Sequence, residues 1–113
     1  MGNAIEEEDY RGRKVICTDR TWNEHIVSGH EIMKKNKEAV IDTIQNPDSV
    51  YVSSTNPSRD VYFKQSNKST YSLFTKVIVE NKLEIGEIVT AFPTKGQKGG
   101  IGNVIYIKPK NSI

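Results

Sequence analysis

Two histidines five residues apart, His25 and His30, are the only side chains of this sequence that titrate near neutral pH without perturbation. Side chains of this kind serve as proton carriers. Cleavage of RNA without a metal needs a base for the 2′-hydroxyl, an acid for the departing 5′-oxygen and cationic donors for the charge that builds on phosphorus. Cations stand at Arg59, Lys64, Lys95 and Lys98, and hydroxyls at Tyr62, Thr90 and Thr94. Tyr62 and Lys64 share a strand face by the period-two rule. Pro93 is expected to break its strand and leave Thr94 and Lys95 at the strand's mouth. Each residue also has a plainer reading. His25 suits a core-edge histidine bonded to backbone, His30 a cap on the helix that follows Gly29, Tyr62 a core aromatic, Thr90 a strand threonine, and Arg59 and Lys64 solvated hairpin cations.

Other chemistries find little support. The single cysteine, Cys17, lies in the apolar run Val15-Ile16-Cys17 and reads as a buried thiol, with no disulfide framework to join. Two histidines, one cysteine and no acidic pair beside them do not make a typical zinc set, so no metal and no cofactor is expected. There is no nucleophile elbow and no phosphate-binding glycine fingerprint.

The elements that must position these residues follow from pattern. At 113 residues, with 35% hydrophobic and 27% charged side chains and a mean hydropathy of −0.56, the chain fits one globular domain, and no apolar run approaches the roughly 20 residues of a membrane span. No signal peptide is present as given. Residues 1–13 read as an acidic, flexible leader and 14–113 as the domain. Of the net charge of +2, the acids Glu6, Glu7, Glu8 and Asp9 account for −4, so the remainder is basic at +6. From Thr90 onward there are four lysines and no acid, a balance that suits polyanionic partners.

Thr21-Trp22-Asn23-Glu24 has the form of a capping box, which predicts a first helix from Thr21 to Gly29 with Trp22 and Ile26 on one face. A second helix is expected from Glu31 to Ile44, with Met33, Val40, Ile41 and Ile44 on its apolar stripe, ended by Asn46-Pro47-Asp48. Val15-Ile16-Cys17 suits a short strand or the entry to a helix. Period two then marks four strands at Val50–Val52, Asp60–Lys64, Tyr71–Val79 and Ile85–Phe92. Short polar connections join them. The fold class is α+β, two N-terminal helices packed on a four-stranded antiparallel sheet. A glycine-rich stretch follows, then either a last strand at Ile101–Ile107 or a flap.

Trp22-Asn23-Glu24-His25-Ile26, Gly29-His30-Glu31, Ile41 through Asp48, Val61-Tyr62-Phe63-Lys64, Val89 through Pro93 and Lys98-Gly99-Gly100 form an ordered set. In order and spacing this set resembles the phage and polymorphic-toxin branch of the barnase/EndoU/colicin/RelE-like nucleases, from about Asp19 to the end. Members of that group often carry proline directly after the second histidine, where this chain has Glu31. The resemblance implies a metal-independent endoribonuclease toxin that leaves a 2′,3′-cyclic phosphate, acts in the cytoplasm of a target or host cell, and is neutralised by a cognate immunity protein or antitoxin. It implies His25 as acid or base, Arg59 and Lys64 as stabilisers of the phosphorane, Thr90 and Tyr62 as phosphate-orienting hydroxyls, and His30, Thr94, Lys95 and Lys98 as substrate contacts. The alternative is a non-catalytic nucleic-acid-binding or phage-derived interaction module.

Overall fold

The computed structural model describes residues 2–66 and 73–109. It is α+β, with a mixed seven-stranded sheet. Two strands precede the helices: β1 (Asn3–Glu8) and β2 (Lys14–Thr18). A single α turn, α1 (Asp19–Thr21), runs into a π-helical segment (Trp22–Val27), and a 3₁₀ helix (Glu31–Lys35) precedes α2 (Lys37–Gln45). The remaining strands are β3 (Ser49–Ser53), β4 (Arg59–Gln65), β5 (Phe74–Asn81), β6 (Gly86–Thr94) and β7 (Ile101–Ile107). Their order across the sheet is β1-β2-β6-β5-β4-β3-β7.

The expected four-stranded antiparallel meander is present as β3–β6, but it is the middle of a larger sheet rather than the whole of it. β2 adds to β6 in parallel, and β7 pairs antiparallel with β3 at the far edge. The acidic segment expected to be a flexible leader forms β1, zipped antiparallel to β2. Its acids hid the strand. Ile5 is buried in the core while Glu6, Glu7 and Glu8 remain exposed, and the charges guard an edge that would otherwise recruit other chains. Tyr71 and Ser72, expected to open the third strand, and residues 67–70 of the polar connection before them lie outside the described residues.

The helical layer is more broken than its periodicity suggests. Thr18, not Thr21, caps the first turn, its hydroxyl accepting from the Thr21 amide at 3.1 Å. Trp22 and Ile26 do share a buried face. The second helix divides at Asn36, whose side-chain amide donates to the Ile32 carbonyl at 2.7 Å and so competes with a continuous α ladder. Met33, Val40 and Ile44 still reach one core, with Val15, Cys17, Val50, Tyr62, Val77, Val79, Ile88 and Ala91 below them.

Pro93 does not end β6; it pairs with Thr75 inside it. β2 accompanies β6 only at Gly86 and Glu87, so beyond them one side of β6 has no strand neighbour among the described residues, and a missing N–H there leaves no described ladder bond broken. Because β6 and β7 stand on opposite sides of the meander, the chain between them must cross a sheet face. It crosses the one opposite the helices, where Gln97 hydrogen-bonds Ser49 and the Gly100 carbonyl accepts from the Ser54 amide at 2.8 Å.

The turn joining β1 to β2 is the second tie. Gly12, at φ 84°, closes a tight turn around Asp9, whose Oδ1 accepts from the Arg11 and Arg13 amides at 2.9 and 3.0 Å. Asp9 Oδ2 accepts from the Tyr62 hydroxyl at 2.8 Å. Arg11 Nη2 adds Asp60 at 3.3 Å, Arg13 reaches Asn81, and the Tyr10 ring lies 4.6 Å from that of Tyr106. The turn therefore straps the helix-covered face from the end of β5 to β7. Replacing Tyr62 by Phe removes a buried donor and is expected to cost about 1–3 kcal/mol. Asp9→Ala leaves the arginines and amides without their anion and is expected to cost about 3–5 kcal/mol. Urea midpoints at unchanged slope measure both; a shift below about 0.5 kcal/mol in Asp9→Ala would show that the strap does not hold the fold.

Candidate functional site

The register of the sheet sorts the candidate residues onto two faces. Asp60, Tyr62 and Lys64 of β4 point to the helices, while Arg59, Val61, Phe63 and Gln65 point the other way. Tyr62 and Lys64 do share a face, but it is the covered one. Tyr62 is fully buried, and burial together with its hydrogen bond to Asp9 holds the phenol above its ordinary pKa. It is not available to orient a phosphate. Lys64 donates to the Asn46 carbonyl at 3.0 Å and lies 3.9 Å from Asp42, so it closes the C-terminus of α2. Beside it a cleft of about 470 Å³ is lined by Glu38, Asp42, Lys64 and Thr75. Two carboxylates against one lysine suit a polyanion poorly.

Arg59 lies on the other face but is already paired, its Nε donating to Glu80 at 2.7 Å. Ser58 and Arg59 together hold the Glu80 carboxyl below its usual range. Four residues of strand separate Arg59 from Phe63, about 13 Å. Arg59 therefore belongs to the opposite end of this face from the residues described next.

At the end nearer the crossing loop, Phe63, Lys76 and Phe92 stand side by side on β4, β5 and β6. The Lys76 ammonium lies 5.7 Å from the centre of the Phe63 ring and 5.4 Å from that of Phe92. It donates to the Gly99 carbonyl at 2.8 Å and approaches that of Lys98 at 3.4 Å. Lys76 is only 8% exposed, and burial holds its ammonium below the ordinary lysine value. Thr90 occupies the adjoining row, across from Ile78. Thr94 is half-buried, with its hydroxyl 3.4 Å from the Gly96 carbonyl, and Lys95 and Lys98 are exposed on the loop.

His30 completes this end. It stands at the N-cap of the 3₁₀ helix, yet its side chain makes no capping bond. Its ring instead reaches round the unpaired stretch of β6 and stacks on Phe92, centroids 5.5 Å apart and planes 20° apart. His25 is exposed on the π-helical segment and contacts neither this row nor the strap among the described residues. The geometry thus puts Thr90 and Thr94 on the same face of β6 as Phe92, which His30 stacks on, with Lys95 and Lys98 on the loop that follows, and sets Tyr62, Lys64, Arg59 and His25 apart.

Lys76 and Phe63 went unmarked in the sequence because they alternate with Thr75, Val77 and Tyr62 in what reads as ordinary strand. The one available signal was a lysine inside the apolar run from Phe74 to Val79. Among the described residues, Lys76, Lys95 and Lys98 have no carboxylate partner, whereas Arg59 and Lys82 at the other end are paired with Glu80 and Glu87. On this face of the sheet, among the described residues, positive charge lacks carboxylate partners at the end near the loop; away from it Lys34, Lys35, Lys37 and Lys108 lack them too. Among the described residues no three His, Cys, Asp or Glu side chains gather as a metal site, and no helix is long and apolar enough to cross a membrane.

Cys17 is no nucleophile here. Burial, and then the charge of Glu87, push its thiol from 9.0 up to about 12. Between those two values the unfolded chain releases a proton that the folded chain keeps, so stability should fall as pH rises across that window. Ellman's reagent is expected to leave folded Cys17 untouched at pH 8 and to titrate one thiol in denaturant; rapid reaction of the folded protein would contradict the buried thiol.

Compared with known proteins, the chain finds no significant match to a family model, a curated protein or a solved structure.

Proposed function

We propose that the chain is a metal-independent endoribonuclease of toxin type, and that RNA lies on the sheet face opposite the helices, at the end bearing His30, Phe92 and Lys76. The observation that carries this reading is the unopposed charge there. Among the described residues Lys76, Lys95 and Lys98 lack carboxylate partners, and the Lys76 ammonium lies 5.4 Å from the ring of half-buried Phe92, on which His30 stacks. Lysines of that kind attract phosphates, aromatic faces accept unstacked bases, and an exposed imidazole can move a proton at neutral pH. The resemblance to the toxin branch of the barnase/EndoU/colicin/RelE-like nucleases points the same way.

In this reading the base takes the 2′-hydroxyl proton and the 2′-oxygen attacks phosphorus. The bond to the 5′-oxygen breaks, and an acid protonates the leaving oxygen, giving a 2′,3′-cyclic phosphate and a 5′-hydroxyl. His30 is the better placed of the two histidines for one of these transfers. Thr90 and Thr94 offer hydroxyls to the phosphate, and Lys95 and Lys98 offer cations from the loop. An immunity protein or antitoxin of acidic character would suit the same surface. The second reading, a binding module without chemistry, draws on the separation of His25 from this end of the sheet.

Purified protein incubated with total tRNA and ribosomal RNA in EDTA is expected to release fragments ending in 2′,3′-cyclic phosphate. His30→Ala should slow the reaction at least about 100-fold, the usual weight of a general acid or base, and His25→Ala should slow it less. The reverse ranking would move the chemistry to the π-helical segment. Intact RNA with the wild type would overturn the ribonuclease and favour the binding module.

A further inference from the structure

We propose that Lys76 binds a backbone phosphate of single-stranded RNA, and that the carbonyls of Lys98 and Gly99 occupy that phosphate's place in the free protein. An ion taken from water needs an opposite charge or a full set of hydrogen bonds, and lysine is rarely buried without one. Lys76 is flanked across the sheet by Phe63 and Phe92, which carry no charge, and among the described residues it finds two carbonyls and two ring faces. Carbonyls supply part of an anion's charge. A residue needed only to hold the loop down would serve as well with a neutral donor; a full positive charge in this position gains its purpose when an anion arrives.

The loop is built so that the exchange is local. Gly99 and Gly100 adopt φ of 89° and 66°, and a Cβ on Gly99 would come within 3.3 Å of the Lys76 ammonium. With glycine on both sides, the peptide between them can rotate and withdraw the Gly99 carbonyl without moving the rest of the crossing. The neighbours then define the ligand. Lys95 and Lys98 extend the positive charge along the loop, which suits a chain of phosphates rather than one free ion. Phe92, with His30 parallel to it, supplies a flat surface for a base next to its phosphate.

This inference takes the identity of its ligand from the ribonuclease reading, so the test uses RNA that cannot be cleaved. Binding of a 2′-O-methyl oligonucleotide is followed by fluorescence anisotropy over a salt series for the wild type, Lys76→Met and, as a control of equal charge change, Lys108→Met. Lys76→Met should weaken binding at least tenfold and lower the slope of log K against log salt by about 0.7, one phosphate contact on a single strand. Lys108→Met should stay within threefold. Should Lys76→Met fold poorly, the side-chain signals of wild-type protein labelled with 13C at lysine Cε decide: a Lys76 signal that shifts saturably with the oligonucleotide supports the site. Unchanged affinity and slope in folded Lys76→Met, or a Lys76 signal that ignores saturating oligonucleotide, overturns it. Loss of binding in Lys76→Met with no RNA cleavage by the wild type would keep this site and remove the nuclease; cleavage with Lys76→Met binding normally would do the reverse.

Discussion

The buried carboxylate of Asp9 is the constraint from which the architecture follows. It accepts from two backbone amides of its own turn and from Tyr62 at the centre of the sheet, and it draws Arg11 and Arg13 over the strands. A charge so enclosed is tolerable only with its partners complete. The turn between β1 and β2 is thereby held against β4 and the ends of β5 and β7, and the Tyr10 amide donates to the Ile44 carbonyl, fastening the same turn to α2. One side chain thus joins the N-terminal hairpin, the helical layer and the meander.

That arrangement consumes the polar groups of the helix-covered face and leaves the opposite face to deal with ligands. Tyr62, Asp60 and Lys64 all serve internal bonds, as do Arg11 and Arg13. On the opposite face ion pairs neutralise the end near Arg59, while the lysines at the end under the crossing loop have no carboxylate partner among the described residues. The division follows from topology. With β7 added beyond β3, the strand-to-strand connection after β6 has to pass over the sheet, and that passage places glycine carbonyls on Lys76.

The candidate site was legible in part. His30, Thr90, Thr94, Lys95 and Lys98 could be singled out because a titratable ring, hydroxyls and unopposed lysines are visible as residue types. Tyr62 and Lys64 carried the same kind of signal and belong elsewhere, since period two tells which residues share a face but not which face the helices cover. Lys76 stood in plain strand sequence, and nothing local distinguishes a lysine on a solvated face from one roofed by a loop some twenty residues later. His30 looked like a cap because it follows glycine at a helix start; its ring turned out to have a partner sixty residues away on an unaccompanied stretch of strand.

By itself the sequence determined the α+β class, the meander from β3 to β6, the apolar stripe of Met33, Val40 and Ile44, and a basic chemistry concentrated after Thr90, because these depend on periodicity and composition within a few residues. Tertiary structure alone decided that the acidic N-terminus is a strand, that the sheet has seven strands with one parallel pairing, and that Asp9 is buried under arginines. It also decided that His30, and not His25, stacks on Phe92. The physical reason is common to all of these: backbone pairing at a sheet edge and the enclosure of a charge depend on partners remote in the chain, and no local pattern of side chains reports them.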